Sequence, residues 1–178
     1  NSCKNSGIKI HAWINPYRVK RNTQDIESLD KKSPAYIWLT DGDTENDRNV
    51  IICEEGIFLN PASAEARMLV INGIREILKN YAVDGIHFDD YFYPSTEEKT
   101  DEKDYSDYCS SVSSPLELSD WRRTNVNALI SGVYTAVKFE NKNITFSISP
   151  AASIEKNYSD LYADIRQWIK CGCVDDII

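Results

Sequence analysis

"DGIHFDDYFYP", residues 84–94, is the stretch on which the reading of this chain turns. A short apolar signal, Ile86 to Phe88, ends in two adjacent acids, Asp89 and Asp90, followed by Tyr91, Phe92, Tyr93 and Pro94. Alternate residues of a strand share a face, so His87 and Asp89 point together, while Asp90 points away or lies beyond the strand end. Acids in that place either cap the following loop or do chemistry. In parallel α/β folds the carboxyl ends of the strands are where active sites are built. Aromatic rings beside carboxylates also suit sugars, whose C–H faces stack on rings while acids handle the glycosidic oxygen and anomeric carbon.

The same grammar recurs on both sides of this stretch. "IKIHAWI" (8–14), "NITFSIS" (143–149) and "VDDII" (174–178) read as further strands. Between them lie helical patterns at about 63–80, 119–139 and 160–171. In the first, Met68, Ile71, Ile74, Ile77 and Leu78 share a face, and Ser63 is a candidate N-cap. Ser119 or Asp120 is expected to cap the second, and Gly172 to end the third. Strands alternating with helices imply parallel units with right-handed crossovers. Both long connections, 15–61 and 90–118, follow strand carboxyl ends, and no Gly-rich phosphate turn is present. These features favour part of a (β/α)8 barrel over a doubly wound sheet.

Composition narrows the partners. A net charge of -8 over 178 residues argues against nucleic acid or an anionic membrane. No apolar run approaches the roughly 20 residues of a membrane span. The five cysteines read as scattered thiols rather than a metal centre, and no cofactor is expected. A whole barrel needs eight strands, so four strands with open edges imply a domain over 1–178 truncated at both ends and inclined to self-associate.

"HAWINPYRV" (11–19), "DGIHFDDYFYP", "DWRRTNVN" (120–127), "SISP" (147–150) and "YADIRQW" (162–168), in this order, resemble the glycoside hydrolase-like 10 family. The resemblance implies a bacterial, cell-envelope or secreted (β/α)-barrel protein, with these strands as barrel strands three to six. The family's Pro-Gln-x-Tyr-Trp motif would follow the last of them. The family is similar in turn to α-amylase-type barrels, whose fourth strand ends Gly-aromatic-Arg-aromatic-Asp. "GIHFD" (85–89) then puts His87 at the arginine position and Asp89 at the nucleophile position. Those enzymes carry a Glu acid/base on the fifth strand, where Ser149-Pro150 stands here. The second carboxyl is therefore expected to be Asp90, a loop acid such as Asp41 or Asp43, or a residue outside this chain.

The expected site comprises Asp89 and Asp90 as catalytic residues, with His11, Asn15, Arg18, His87, Tyr91 and Tyr93 binding substrate. His11 lies deeper and has a structural alternative. Arg18 has another: pairing with Asp89 or Asp90. Trp121 and Trp168 are read as packing residues, and 95–107 as a solvated, charge-rich loop. Asn143 and Asn157 fit the glycosylation pattern. The leading function is a glycosidase on a polysaccharide or peptidoglycan glycan strand. One alternative is a glycan-binding barrel without catalysis. Another is a metal-dependent carbohydrate deacetylase, which "FDD" (88–90) superficially suggests but for which His11 and His87 are poorly spaced.

Overall fold

The computed structural model describes residues 2–178. In chain order the elements are α1 (Ser2–Asn5), β1 (His11–Ile14), β2 (Arg18–Arg21), α2 (Pro34–Thr40), β3 (Val50–Cys53), β4 (Gly56–Leu59), α3 (Ala64–Asn80), β5 (Gly85–Phe88), α4 (Glu102–Ser111), α5 (Leu118–Glu140), β6 (Thr145–Ile148), α6 (Ile154–Ser159), α7 (Ile165–Cys171) and β7 (Asp176–Ile177). The fold is mixed α/β. Its main sheet runs β1-β5-β6-β7, parallel throughout and in sequence order, as the alternation of strand and helix predicts.

One local device starts two of these strands. Asp84, just before β5, accepts a hydrogen bond from the Ile10 amide at 2.8 Å, and Asp175, just before β7, accepts one from Phe146 at 2.7 Å. Each carboxylate satisfies a backbone donor of the preceding strand at the edge where the ladder begins. Beyond that point the strands sort their side chains by face. Ile86, Phe88, Phe146 and Ile148 are fully buried, with Phe88 and Phe146 edge to face at 5.2 Å. Each such side chain contributes about 1.5–3 kcal/mol by leaving water.

The helices cover that face. Ser63 caps α3 by accepting from the Ala66 amide, as expected, and α3 buries Ala66, Val70, Ile71 and Ile74. Met68, placed on this face by spacing, is instead 45% exposed. A Cβ on Gly132 of α5 would lie 2.7 Å from Ile71 Cδ1, so glycine lets α3 and α5 approach closely. Trp168 and Trp121 are buried packing residues, and Trp168 also donates to Asn127.

Several expectations need correction. Helix α5 starts after Glu117, without a side-chain cap from Ser119 or Asp120. The span 160–171 is broken: Tyr162 sits at φ 53°, and α7 begins only after Asp164, whose carboxylate caps it by accepting from Gln167. The connection 15–61 folds into an antiparallel sheet ordered β2-β4-β3, with α2 beside it. The segment 95–107 is not wholly solvated, because it forms the start of α4 and buries Asp101. Asn157 is fully buried with its amide bonded to backbone, so the folded chain offers no acceptor there. Cys171 and Cys173 form a disulfide rather than free thiols. Among the described residues no helix is long and apolar enough to cross a membrane.

Candidate active site

The opposite face of the main sheet carries His11 and Trp13 on β1, His87 on β5 and Ser147 on β6; the register aligns Trp13, His87 and Ser147 in one row. Gly85 belongs to the same face for a steric reason. A Cβ there would sit 2.6 Å from the His11 ring, so glycine makes room for the imidazole. Trp13 is 74% exposed and meets His87 edge to face at 6.4 Å. A large exposed ring at the rim of polar side chains is a ready platform for a sugar face.

At the carboxyl ends of the strands this face opens into a cleft of about 570 Å³, lined by Trp13, His87, Asp89, Asp90, Ser149 and Ala151 among others. A hollow of about 550 Å³ between α6 and α7 shares no residue with it; its acids are Glu155, bonded to Ser153, and Asp164, which caps α7. The cleft at the strand ends is where the chemistry-bearing side chains converge.

Asp89 is held there. Asn15 Nδ2 donates to both of its carboxylate oxygens, at 3.1 and 2.9 Å, and the Tyr91 amide donates to Oδ1 at 3.3 Å. Asn15 is itself fixed, because its Oδ1 accepts from the Arg18 amide at 2.9 Å. Asn15 therefore orients the carboxylate from the side of β1, through a side chain with no charge of its own. Asp90 lines the same cleft. Asp41 and Asp43 do not: both are exposed and organise their own turn, accepting from the Asp43 and Glu45 amides respectively.

His87 Nδ1 lies 2.8 Å from Ser147 Oγ. Burial first, and then the neighbouring His11, hold the His87 imidazole below its ordinary pKa, while Asp89 pulls the other way. The unfolded chain therefore takes up this proton first as pH falls, and His87's contribution to stability declines below about pH 6.5 towards the folded midpoint. An NMR titration is expected to place the His87 midpoint below about 6.5, and His11→Ala to raise it. A midpoint above that of a free imidazole would contradict this environment.

Two expected contacts are corrected. Arg18 is not paired with Asp89 or Asp90; its guanidinium lies over the Tyr91 ring at 4.9 Å, and the side chain that bonds Asp89 is Asn15. Tyr93 is 4% exposed and does not line the cleft, because it packs against Tyr162 at 5.0 Å and lies under Arg122. Burial, and then the Asp101 carboxylate, push its hydroxyl pKa well above the ordinary value. Among the described residues no three of His, Cys, Asp and Glu gather closely enough to hold a metal ion. The two histidines, though 76 positions apart in sequence, do line one cleft.

The sequence profile of the family described as "Glycosyl hydrolase-like 10" matches residues 1–178. The chain belongs to this family. Among curated relatives, glycosyl hydrolase YngK of Bacillus subtilis (strain 168) is 32% identical over 188 residues, covering 96% of this chain and 35% of YngK. Glycosyl hydrolase DigH of Escherichia coli (strain K12) is 31% identical over 195 residues, 96% of this chain and 42% of DigH. The chain thus spans less than half the length of either relative. A solved structure of Ega3 from Aspergillus fumigatus, a galactosamine complex, aligns at 11% identity with a TM-score of 0.43, covering 97% of this chain and 57% of that one.

Proposed function

We propose that this chain is part of a glycosidase acting on a polysaccharide or on peptidoglycan glycan strands, with Asp89 as nucleophile or transition-state stabiliser. The observation that carries the reading is Asp89 itself: a carboxylate at the end of β5, gripped by Asn15 and opening on a cleft whose rim presents Trp13. Glycosidic cleavage needs one such carboxylate near the anomeric carbon and a second acid at the leaving oxygen. Asp90, in the same cleft, is the assignment for the second.

The parallel order β1-β5-β6-β7 and the helix-covered outer face support a place as strands three to six of a (β/α)8 barrel. In that frame His11 points into the barrel interior, Trp13, two residues nearer the carboxyl end of β1, reaches the cleft, and the protein works in the cell envelope or outside the cell. Left on its own, the chain is expected to self-associate through its open sheet face, with light scattering showing more than a monomer.

A second reading, glycan binding without catalysis, is favoured by one feature: Ser149 and Pro150 stand where a carboxylate of the next strand would close the pair. The longer protein incubated with peptide-free glycan strands separates the two. Release of new reducing ends supports the glycosidase; saturable binding without release supports the binding module; neither would overturn both.

A further inference from the structure

The cleft takes Asp89 and Asp90 from the start of the loop after β5 and Ser149 to Ala152 from the loop after β6, and both loops are fastened further along to adjacent arginines in the first turns of α5. Arg122 and Asp101 form an ion pair in which both side chains are fully buried. Arg122 Nε donates to both Asp101 oxygens, at 3.1 and 3.0 Å. Its terminal nitrogens reach the carbonyls of Thr96 and Glu97 at 3.2 and 2.8 Å, all in the loop that begins at Asp90. The same guanidinium donates to the Tyr162 hydroxyl, in the other loop, at 2.9 Å. The rings of Tyr93 and Tyr162, one from each loop, lie 5.3 and 5.1 Å from it. Arg123 extends the hold, donating to the Tyr158 carbonyl at 2.9 Å. One residue earlier, buried Asn157 bonds both backbone groups of Ala151, a residue of the cleft wall.

We propose that Arg122 is a positioning residue that joins the loops after β5 and β6 into one substrate-binding wall. The donor pattern requires arginine. A planar fork can serve a carboxylate, two carbonyls and a hydroxyl at once, whereas a lysine ammonium keeps the charge but has three donors at one point. Tyr162 is held at φ 53°, a left-handed conformation unusual for a tyrosine, with its hydroxyl on Arg122. Asp89 is oriented separately by Asn15 from β1's side. Loosening the wall should thus disturb substrate binding more than the carboxylate at the reacting centre.

This inference rests on the glycosidase reading for its kinetic arm but not for its structural arm. In the longer protein, Arg122→Lys is expected to raise KM for peptide-free glycan strands at least about tenfold while kcat falls less than about threefold. A role in stability alone would remove folded molecules and lower maximal rate at unchanged KM. Amide hydrogen exchange over 91–100 and 150–163 is expected to quicken at least about tenfold in both loops together. A second variant, Arg122→Met with Asp101→Leu, replaces the buried pair by apolar side chains, a change proteins often tolerate in stability. It should retain a cooperative unfolding transition yet show the same fast exchange. Wild-type exchange in a folded double variant, or quickening of one loop only, would overturn the proposal. Absence of any turnover by the wild type would count against the glycosidase reading alone and leave the exchange result decisive here.

Discussion

Replacing Asp89 by Asn in the longer protein is expected to lower hydrolysis of glycan strands at least about 10³-fold, about 4 kcal/mol of transition-state stabilisation, with glycan binding nearly unchanged. The amide keeps the shape of the carboxylate, and Asn15 Nδ2 can still donate to its remaining oxygen. It can neither attack the anomeric carbon nor carry the charge that steadies an oxocarbenium-like transition state. Initial rates of reducing-end release, beside a binding isotherm, check both halves of the statement. Asp90→Asn is the contrast. A loss equal to that of Asp89→Asn assigns Asp90 as the second acid; a mild loss moves the proton donor to a residue outside this chain, because Asp41 and Asp43 are spent on their own turn. Full turnover by Asp89→Asn would remove the assignment.

The second large effect is on stability. Asp101→Ala would leave the Arg122 guanidinium buried with no counter-ion, and breaking a buried pair from one side costs about 3–5 kcal/mol. At roughly 2–4 °C per kcal/mol for a domain of this size, the thermal midpoint is expected to fall by about 10 °C. An internal control lies two residues further along the same acidic run. Lys103 bonds Asp107 at 2.7 Å one helical turn away, but both side chains are exposed, so Lys103→Ala should cost only about 0.3–0.5 kcal/mol. Thermal unfolding followed by circular dichroism compares the two directly, and equal losses would contradict the burial on which this prediction stands.

The same contrast separates what local sequence encodes from what only tertiary contact decides. The strands of the main sheet, their parallel order and the helices between them were legible, because each rests on local periodicity and on punctuation such as Asn15-Pro16 and Ser149-Pro150. Asp89 at a strand end was legible for the same reason. Asp101 was not: within "STEEKTDEKDYSD" (95–107) it resembles its exposed neighbours, and only a partner 21 positions away, Arg122, distinguishes it. The sheet ordered β2-β4-β3 was not legible, because it lies wholly inside the 15–61 connection and its strands β3 and β4 meet at Glu54 and Glu55, which read as loop. Gly56 was its one local signal, at φ 140° with Lys20 O where a Cβ would be. Tyr91 and Tyr93 looked alike in sequence, yet Tyr91 stays in solvent under Arg18 while Tyr93 turns inward to Tyr162. Spacing placed Asn15 near the cleft, but only the geometry shows it holding Asp89 rather than facing a substrate.

Whether Asp89 is the carboxylate at the reacting centre is decided by a crystal structure of the Asp89→Asn variant of the longer protein with a bound glycan strand. An anomeric carbon is expected about 3–3.5 Å from the side chain of residue 89, as a near-attack geometry requires, with a sugar face on the Trp13 ring. A glycan bound in the cleft with every anomeric carbon beyond reach of residue 89, or bound away from the cleft altogether, would contradict it.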